Sequence, residues 1–236
     1  MKHLESFNLF KKFFDKREIH KICKRYDINN YTINSDGSID VNGTVYLYHK
    51  GLTNIPLKFN KVSGSFICSN NNLISLDGCP KEVGGEFNCS DNQLISLDGC
   101  PKEVGDDFDC SINPITTMKG VSKIIKGNFT CRNCKLENLN FCPEAQYYDF
   151  SYNKIKNFNG FPEFNNSNVD FHGNDVDDIY YLFRLKSCIR WINEYDVIQG
   201  DNVIFDRLEE VFLQLNKTVP SINFVKRELG GKYNVI

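Results

Sequence analysis

Cys131 and Cys134, three residues apart and followed by Cys142, come closest to a chemical site in this 236-residue chain. Cys-x-x-Cys is half of a common zinc site, because two thiolates at that spacing can reach one tetrahedral ion. The same spacing serves thiol–disulfide chemistry, but in a thioredoxin-like context that this chain lacks. His3, His20, His49 and His172 lie in different segments and build no motif. There is no phosphate loop, no nucleophile elbow and no metal pair at helical spacing. The remaining concentration of chemistry is charge. Lys11, Lys12, Lys16, Arg17, Lys21, Lys24 and Arg25 sit among aromatics near the amino terminus. A helix of that composition can bind phosphates or a membrane surface, or simply present a solvated basic face.

What must position these residues is a repeat. The run from Leu73 to Gly84 recurs from Leu94 to Gly105, 21 residues later. Aligning on the residue that follows the glycines gives Val45, Phe66, Phe87, Phe108, Phe129, Tyr148 and Val169, with a single irregular step of 19 before Tyr148. Two residues on stand Leu47, Cys68, Cys89, Cys110, Cys131, Phe150 and Phe171; five on stand Lys50, Asn71, Asn92, Asn113, Cys134, Asn153 and Asn174. Apolar residues follow at the seventh and tenth positions, from Leu52 and Ile55 to Val176 and Ile179. One coil cannot bury its apolar face, whereas stacked coils bury a continuous core. The aromatic and the cysteine lie two apart and point to one side of a short strand. The asparagine can bond backbone groups where the chain leaves that strand, and a stack of them would satisfy buried amides. The glycines permit positive φ or a close backbone approach.

The repeat absorbs the cysteines. Cys131 and Cys134 hold repeat positions, and Cys142 matches Cys79 and Cys100. Cysteine packs as a small hydrophobe, so these are expected as reduced core thiols in a reducing compartment; Cys79 and Cys100 would stack near disulfide range. No cofactor or metal is expected. The hydrophobic fraction of 41% and charged fraction of 25% are ordinary, and the net charge of −2 gives no general attraction to polyanions. No run of about 18 apolar residues is present, and charges break the apolar residues of the first segment too early for a signal peptide. The expected location is the cytoplasm, with no membrane association.

The aromatic-x-Cys-x-x-Asn-x-Leu-x-x-Leu pattern resembles the leucine-rich repeat, and the Gly-Cys-Pro-Lys-Glu-Val-Gly-Gly variant resembles repeat proteins of tailed bacteriophages and large DNA viruses. The lead-in from Ile33 to Gly43 is similar to the segment that precedes their repeats. The resemblance covers roughly residues 31 to 176. It implies an α/β solenoid: a right-handed superhelix of about seven coils with a parallel sheet on one face, closed by helical caps. The expected division is 1–40 for an amino-terminal helical cap and lead-in, 41–176 for the solenoid and 177–236 for a carboxy-terminal helical cap or subdomain. One departure stands out. Val62, Val83, Val104 and Ile125 precede the aromatic by four positions where the usual repeat has three, which predicts a bulge at the start of the strand.

Helices are expected over residues 3–26 in two pieces, Asp177 to Glu194 and Asp201 to Leu215, from apolar residues at helical spacing, with a strand in the tail after Gly231. The outward strand positions supply the candidate binding residues: Tyr46, Tyr48, Ile67, Glu86, Asn88, Asp107, Asp109, Thr130, Arg132, Tyr147, Asp149, Asp170 and His172. In leucine-rich repeats such positions line the exposed, usually concave, face. Their acidic stripe fits a basic protein surface, and a host component if the chain is viral. It would repel nucleic acid. An acidic stripe also keeps an exposed sheet soluble, and Tyr46 and Tyr48 could instead be buried under the amino-terminal helices. The chain is therefore expected to be a binding module and not an enzyme; the alternatives are a nucleic-acid or membrane-surface binder acting through the basic amino-terminal helices and, against the lack of any catalytic constellation, an enzyme housed in residues 177–236.

Overall fold

The computed structural model describes residues 16–162, 168–183 and 188–236. The repeat winds into a parallel β-solenoid of about six turns spaced by about 21 residues. Seven short strands form its main sheet in chain order: Val45–Tyr46, Phe66–Ile67, Phe87–Asn88, Phe108–Asp109, Phe129–Thr130, Tyr147–Asp149 and Asn168–Asp170. Val45, Phe66, Phe87, Phe108, Phe129, Tyr148 and Val169 pair in succession, which is the alignment read from the sequence. The turn of 19 residues keeps this register, so its shortening is taken up in the return arc.

The predicted bulge is absent at Val62, Val83 and Val104. These residues belong to a second sheet, with strands Tyr31–Ile33, Ile39–Val41, Phe59–Val62, Glu82–Val83 and Glu103–Val104. Its first pair is antiparallel and the others parallel, and Ile125 extends it by an isolated bridge to Val104. The displaced valine is therefore the inward residue of another strand. Gly84 and Gly105 lie just after it with ordinary negative φ. An added Cβ would stand 2.2 Å from the Ser63 carbonyl oxygen at Gly84, and 2.1 Å from the Gly84 carbonyl oxygen at Gly105. Close approach between turns, not unusual φ, requires glycine here.

Between the sheets runs a ladder of rings. Phe66, Phe87, Phe108 and Phe129 follow one another at centroid distances of 6.0, 5.1 and 5.6 Å. The ladder then shifts columns, because Phe129 meets Phe150 at 5.9 Å and Phe150 meets Phe171 at 5.9 Å. Phe150 and Phe171 stand where earlier turns have cysteine, and Val169 stands where they have phenylalanine. Exchanging a large and a small residue between neighbouring columns keeps the interior filled.

Five turns leave the main sheet through the same hydrogen-bonded corner, built on an asparagine. Asn92 Oδ1 accepts from Leu73 N–H (2.9 Å), while its Nδ2 donates to the carbonyls of Cys68, Cys89 and Ser90 at 3.0–3.1 Å. Asn71, Asn113, Asn153 and Asn174 repeat the arrangement. Where cysteine replaces the asparagine, the Cys134 thiol donates to the carbonyls of Cys110 and Arg132. The residue before each of these positions is left-handed, with φ of 52–56° at His49, Asn70, Asp91, Ile112, Asn133 and Tyr152. Asparagine and aspartate tolerate that conformation; a β-branched isoleucine such as Ile112 adopts it at a steric cost.

Helix α1 (Lys16–Arg25) buries Ile19 and Cys23 in the same core as the first turns. It matches the second predicted helical piece; the first piece, with Leu4, Phe7, Phe10, Phe14, Lys11 and Lys12, lies outside the described residues. After the last turn come α2 (Asp177–Phe183), α3 (Cys188–Glu194), α4 (Phe205–Gln214) and α5 (Ile222–Leu229). The helix expected from Asp177 to Glu194 is helical over both of its described stretches, and 184–187 lie outside the described residues. The next begins at Phe205, later than expected, because Asn202–Val203 is a strand between Ile198–Gln199 and Asn234–Val235. Helix α5 was not foreseen; Ser221 Oγ caps it by accepting from Phe224 N–H. This unit is tied to the final turn by Tyr233 OH donating to Lys156 O (2.6 Å), Asn193 Nδ2 donating to Phe158 O (3.1 Å) and a Lys156–Asp201 ion pair (2.8 Å). No helix among the described residues is long and apolar enough to cross a membrane.

Replacing Asn92 by alanine leaves several buried backbone groups unpaired and should lower stability by about 1–3 kcal/mol in urea denaturation. Ile112→Asn relieves a left-handed isoleucine and should raise it by about 1 kcal/mol in the same measurement.

Candidate functional site

The exposed face of the seven-stranded sheet gathers the candidate binding residues into columns. Tyr46, Ile67, Asn88, Asp109, Thr130, Asp149 and Asp170 pair directly across successive strands and form the central column. Glu86, Asp107 and Tyr147 flank it on one side; Tyr48, Arg132 and His172 flank it on the other. Tyr46 and Tyr48 are 64% and 52% exposed, so helix α1 does not cover them. Arg132 and His172 are also exposed, and the other nine are half-buried by their neighbours. The residues are spread along the face: two tyrosines at one end, Glu86 on one turn and Asp107 with Asp109 on the next in the middle, and Tyr147, Asp149, Asp170 and His172 at the far end.

The acidic column also has local work. Asp109 accepts from Ser111 N–H (2.9 Å), and Asp170 from His172 N–H (2.7 Å). Asp149 accepts from both Ser151 N–H and its hydroxyl, and Asn88 from Ser90 in the same way. These bonds fix the chain as it leaves each strand. Asp107 instead reaches the next turn, accepting from Asn128 N–H at 2.7 Å. The Asx-x-Ser spacing carried this signal in the sequence. The bonds orient the carboxylates without neutralising them. Among the described residues, none of Glu86, Asp107, Asp109, Asp149 and Asp170 forms an ion pair.

The far end holds one residue that the repeat could not reveal. Tyr181, on α2, is exposed beside the face. Burial raises the Tyr147 hydroxyl pKa, with further contributions from Asp149, Asp170 and Tyr181; burial also raises that of Tyr181, followed by Asp177 and Asp170. Tyr152 meets His172 edge-on at 5.3 Å. A phenol and a carboxylate column side by side suit a cationic side chain.

The other candidate chemistry sits elsewhere. All ten cysteines are free thiols, and nine of them are buried. Cys131 and Cys134 lie 3.5 Å apart through their sulfurs. The Cys131 thiol is held far above its ordinary pKa, first by its hydrogen bond with Cys110 and then by burial; its bond with Cys134 acts the other way. Among the described residues, no three His, Cys, Asp or Glu side chains are grouped to hold a metal. On α1, Lys16, Lys21, Lys24 and Arg25 are exposed while Ile19 and Cys23 face the core. In the carboxy-terminal unit, a polar cleft of about 430 Å³ is lined by Lys156, Asp175, Asp201, Lys232 and Tyr233. Lys156, Asp201, Lys232 and Tyr233 are engaged in contacts that fasten the unit to the solenoid.

Compared with known protein families, curated proteins and solved structures, the chain matches none.

Burial pushes the Cys100 and Cys110 thiols from an ordinary 9.0 up to about 12. Between those values the unfolded chain releases protons that the folded chain retains, so this contribution to stability is fully present below about pH 9 and declines as the pH rises toward 12. The urea midpoint should hold from pH 7 to about pH 8.5 and fall above pH 9; a midpoint unchanged at pH 11 contradicts the buried-thiol assignment.

Proposed function

We propose that the chain is a leucine-rich-repeat-like binding module of seven coils, with helical elements closing its ends, whose exposed sheet face receives a basic surface of a protein partner. The resemblance to phage and large-virus repeat proteins makes a host component, met in the host cytoplasm, the partner we favour. The observation that carries this reading is the set of five carboxylates on the face, four held by backbone amides and Glu86 by the Asn88 side chain, with none ion-paired among the described residues. Pre-oriented charge lowers the cost of ordering on binding and speeds encounter with a partner of opposite sign. Tyr46, Tyr48 and Tyr147 supply aromatic area at the two ends, the residue type most favoured as an anchor.

The test is affinity capture of host proteins on the immobilised chain, comparing wild type with Glu86→Lys, Asp107→Lys and Asp109→Lys. The captured basic partner should bind the combined reversal at least tenfold more weakly. Equal retention by both proteins removes the face from consideration.

A further inference from the structure

The second sheet carries a ladder of the opposite sign. Lys81, Lys102 and Lys123 stand at one repeat position on three successive turns. Their register is fixed by the pairing of Glu82 with Glu103 and of Val104 with Ile125, and the Lys102 amide donates to the Lys81 carbonyl at 2.8 Å. Adjacent lysines are therefore about 4.8 Å apart at the backbone. All three are exposed, and among the described residues none has a carboxylate partner. Beside them runs a groove of about 510 Å³ over Gly84 and Gly105, where no side chain can stand, with Lys126 at its border. Of the two glutamates in the groove, Glu82 is paired with Lys61 at 2.9 Å. Like charges stacked directly opposite one another repel, and no ion pair among the described residues relieves this stack.

Glu86 and Asp107 present the opposite charge on two consecutive turns of the main sheet, with Asp109 beside Asp107 in the next column. Both ladders are cut from one coil, so they share one pitch. At that shared pitch, two successive lysines of one molecule can meet Glu86 and Asp107 of another. We propose that the lysine ladder of the second sheet docks on the acidic face of a second copy of the chain. The inference rests on the reading of that face as a binding surface and names an occupant for it. A phosphate chain fits less well, because Glu82 and Glu103 would face it. A protein face that mixes carboxylates with Arg132, Thr130 and Asn88 accommodates them. The contact uses two different patches, so each pair keeps one free patch of each kind and grows further, into a closed ring or an open chain according to the rotation between copies. Exposed ion pairs contribute about 0.2–1 kcal/mol each and are screened by salt, which makes the association weak and salt-sensitive.

Sedimentation velocity on the full chain tests this, at about 10 mM and about 500 mM salt, where screening lengths differ several-fold. The weight-average sedimentation coefficient should rise with protein concentration at low salt and stay flat at high salt. Variant one carries Lys81→Glu, Lys102→Glu and Lys123→Glu. Variant two carries Glu86→Gln, Asp107→Asn and Asp109→Asn, which keep groups able to accept the local hydrogen bonds. Each alone should associate at least tenfold more weakly than wild type. Their mixture retains one intact patch of each kind and should form a one-to-one dimer that grows no further. A wild type monomeric at every low-salt concentration overturns the proposal, as do variants that associate like wild type or a mixture that stays monomeric. Capture of a basic partner that still depends on Glu86, Asp107 and Asp109 would then leave the functional reading standing and this inference alone refuted.

Discussion

The structure depends on the buried carboxamide at the corner of each turn. A chain that leaves a sheet and bends back beneath it must bury peptide groups that no strand pairs. Asn71, Asn92, Asn113, Asn153 and Asn174 meet that need with one side chain, whose oxygen faces the preceding turn and whose nitrogen faces carbonyls of two turns. Because each carboxamide spans two turns, it fixes their register as well as closing the corner. The sheet face can then be flat and polar, because its stability comes from the corner beneath it and from the ring ladder.

That division of labour separates what holds the fold from what is presented to solvent. Phenylalanine, cysteine and leucine fill the interior, and every buried thiol whose ionisation shifts is driven toward its neutral form. The outward columns are released from packing and can carry charge of one sign over several turns. Asp109, Asp149 and Asp170 serve both sides, since each accepts a backbone hydrogen bond and still presents a charged oxygen.

The pairing of the main sheet was legible because a 21-residue period places equivalent residues side by side, and even the 19-residue step could be read through Tyr148 and Phe150. The second sheet was not. Its parallel strands over the repeats are mostly two residues long, too short to show alternation, and the valine offset looked like a distortion of a single strand. Asp109 and Asp149 read as surface charge because a hydrogen bond to the amide two residues on leaves no periodic mark beyond the following serine. Tyr181 was invisible for another reason: its place beside Tyr147 depends on how α2 packs against the last turn, which the repeat does not encode. Helix α5 is short and has only Val225 and Leu229 buried, so it offers little apolar periodicity.

Cys134 divides the molecule energetically. A thiol donates to carbonyls, as the carboxamides do, but accepts poorly, so this corner loses the oxygen that elsewhere receives an amide from the preceding turn. In a stack where each turn touches only its neighbours, cooperativity is no stronger than its weakest interface. The solenoid is therefore best understood as two cooperative blocks joined at Cys134, one seeded by the turns of Phe66 to Phe108 and the other by the turns that end against the carboxy-terminal helices. Amide exchange would distinguish the blocks by different opening free energies, with the seam, not the termini, as the internal boundary.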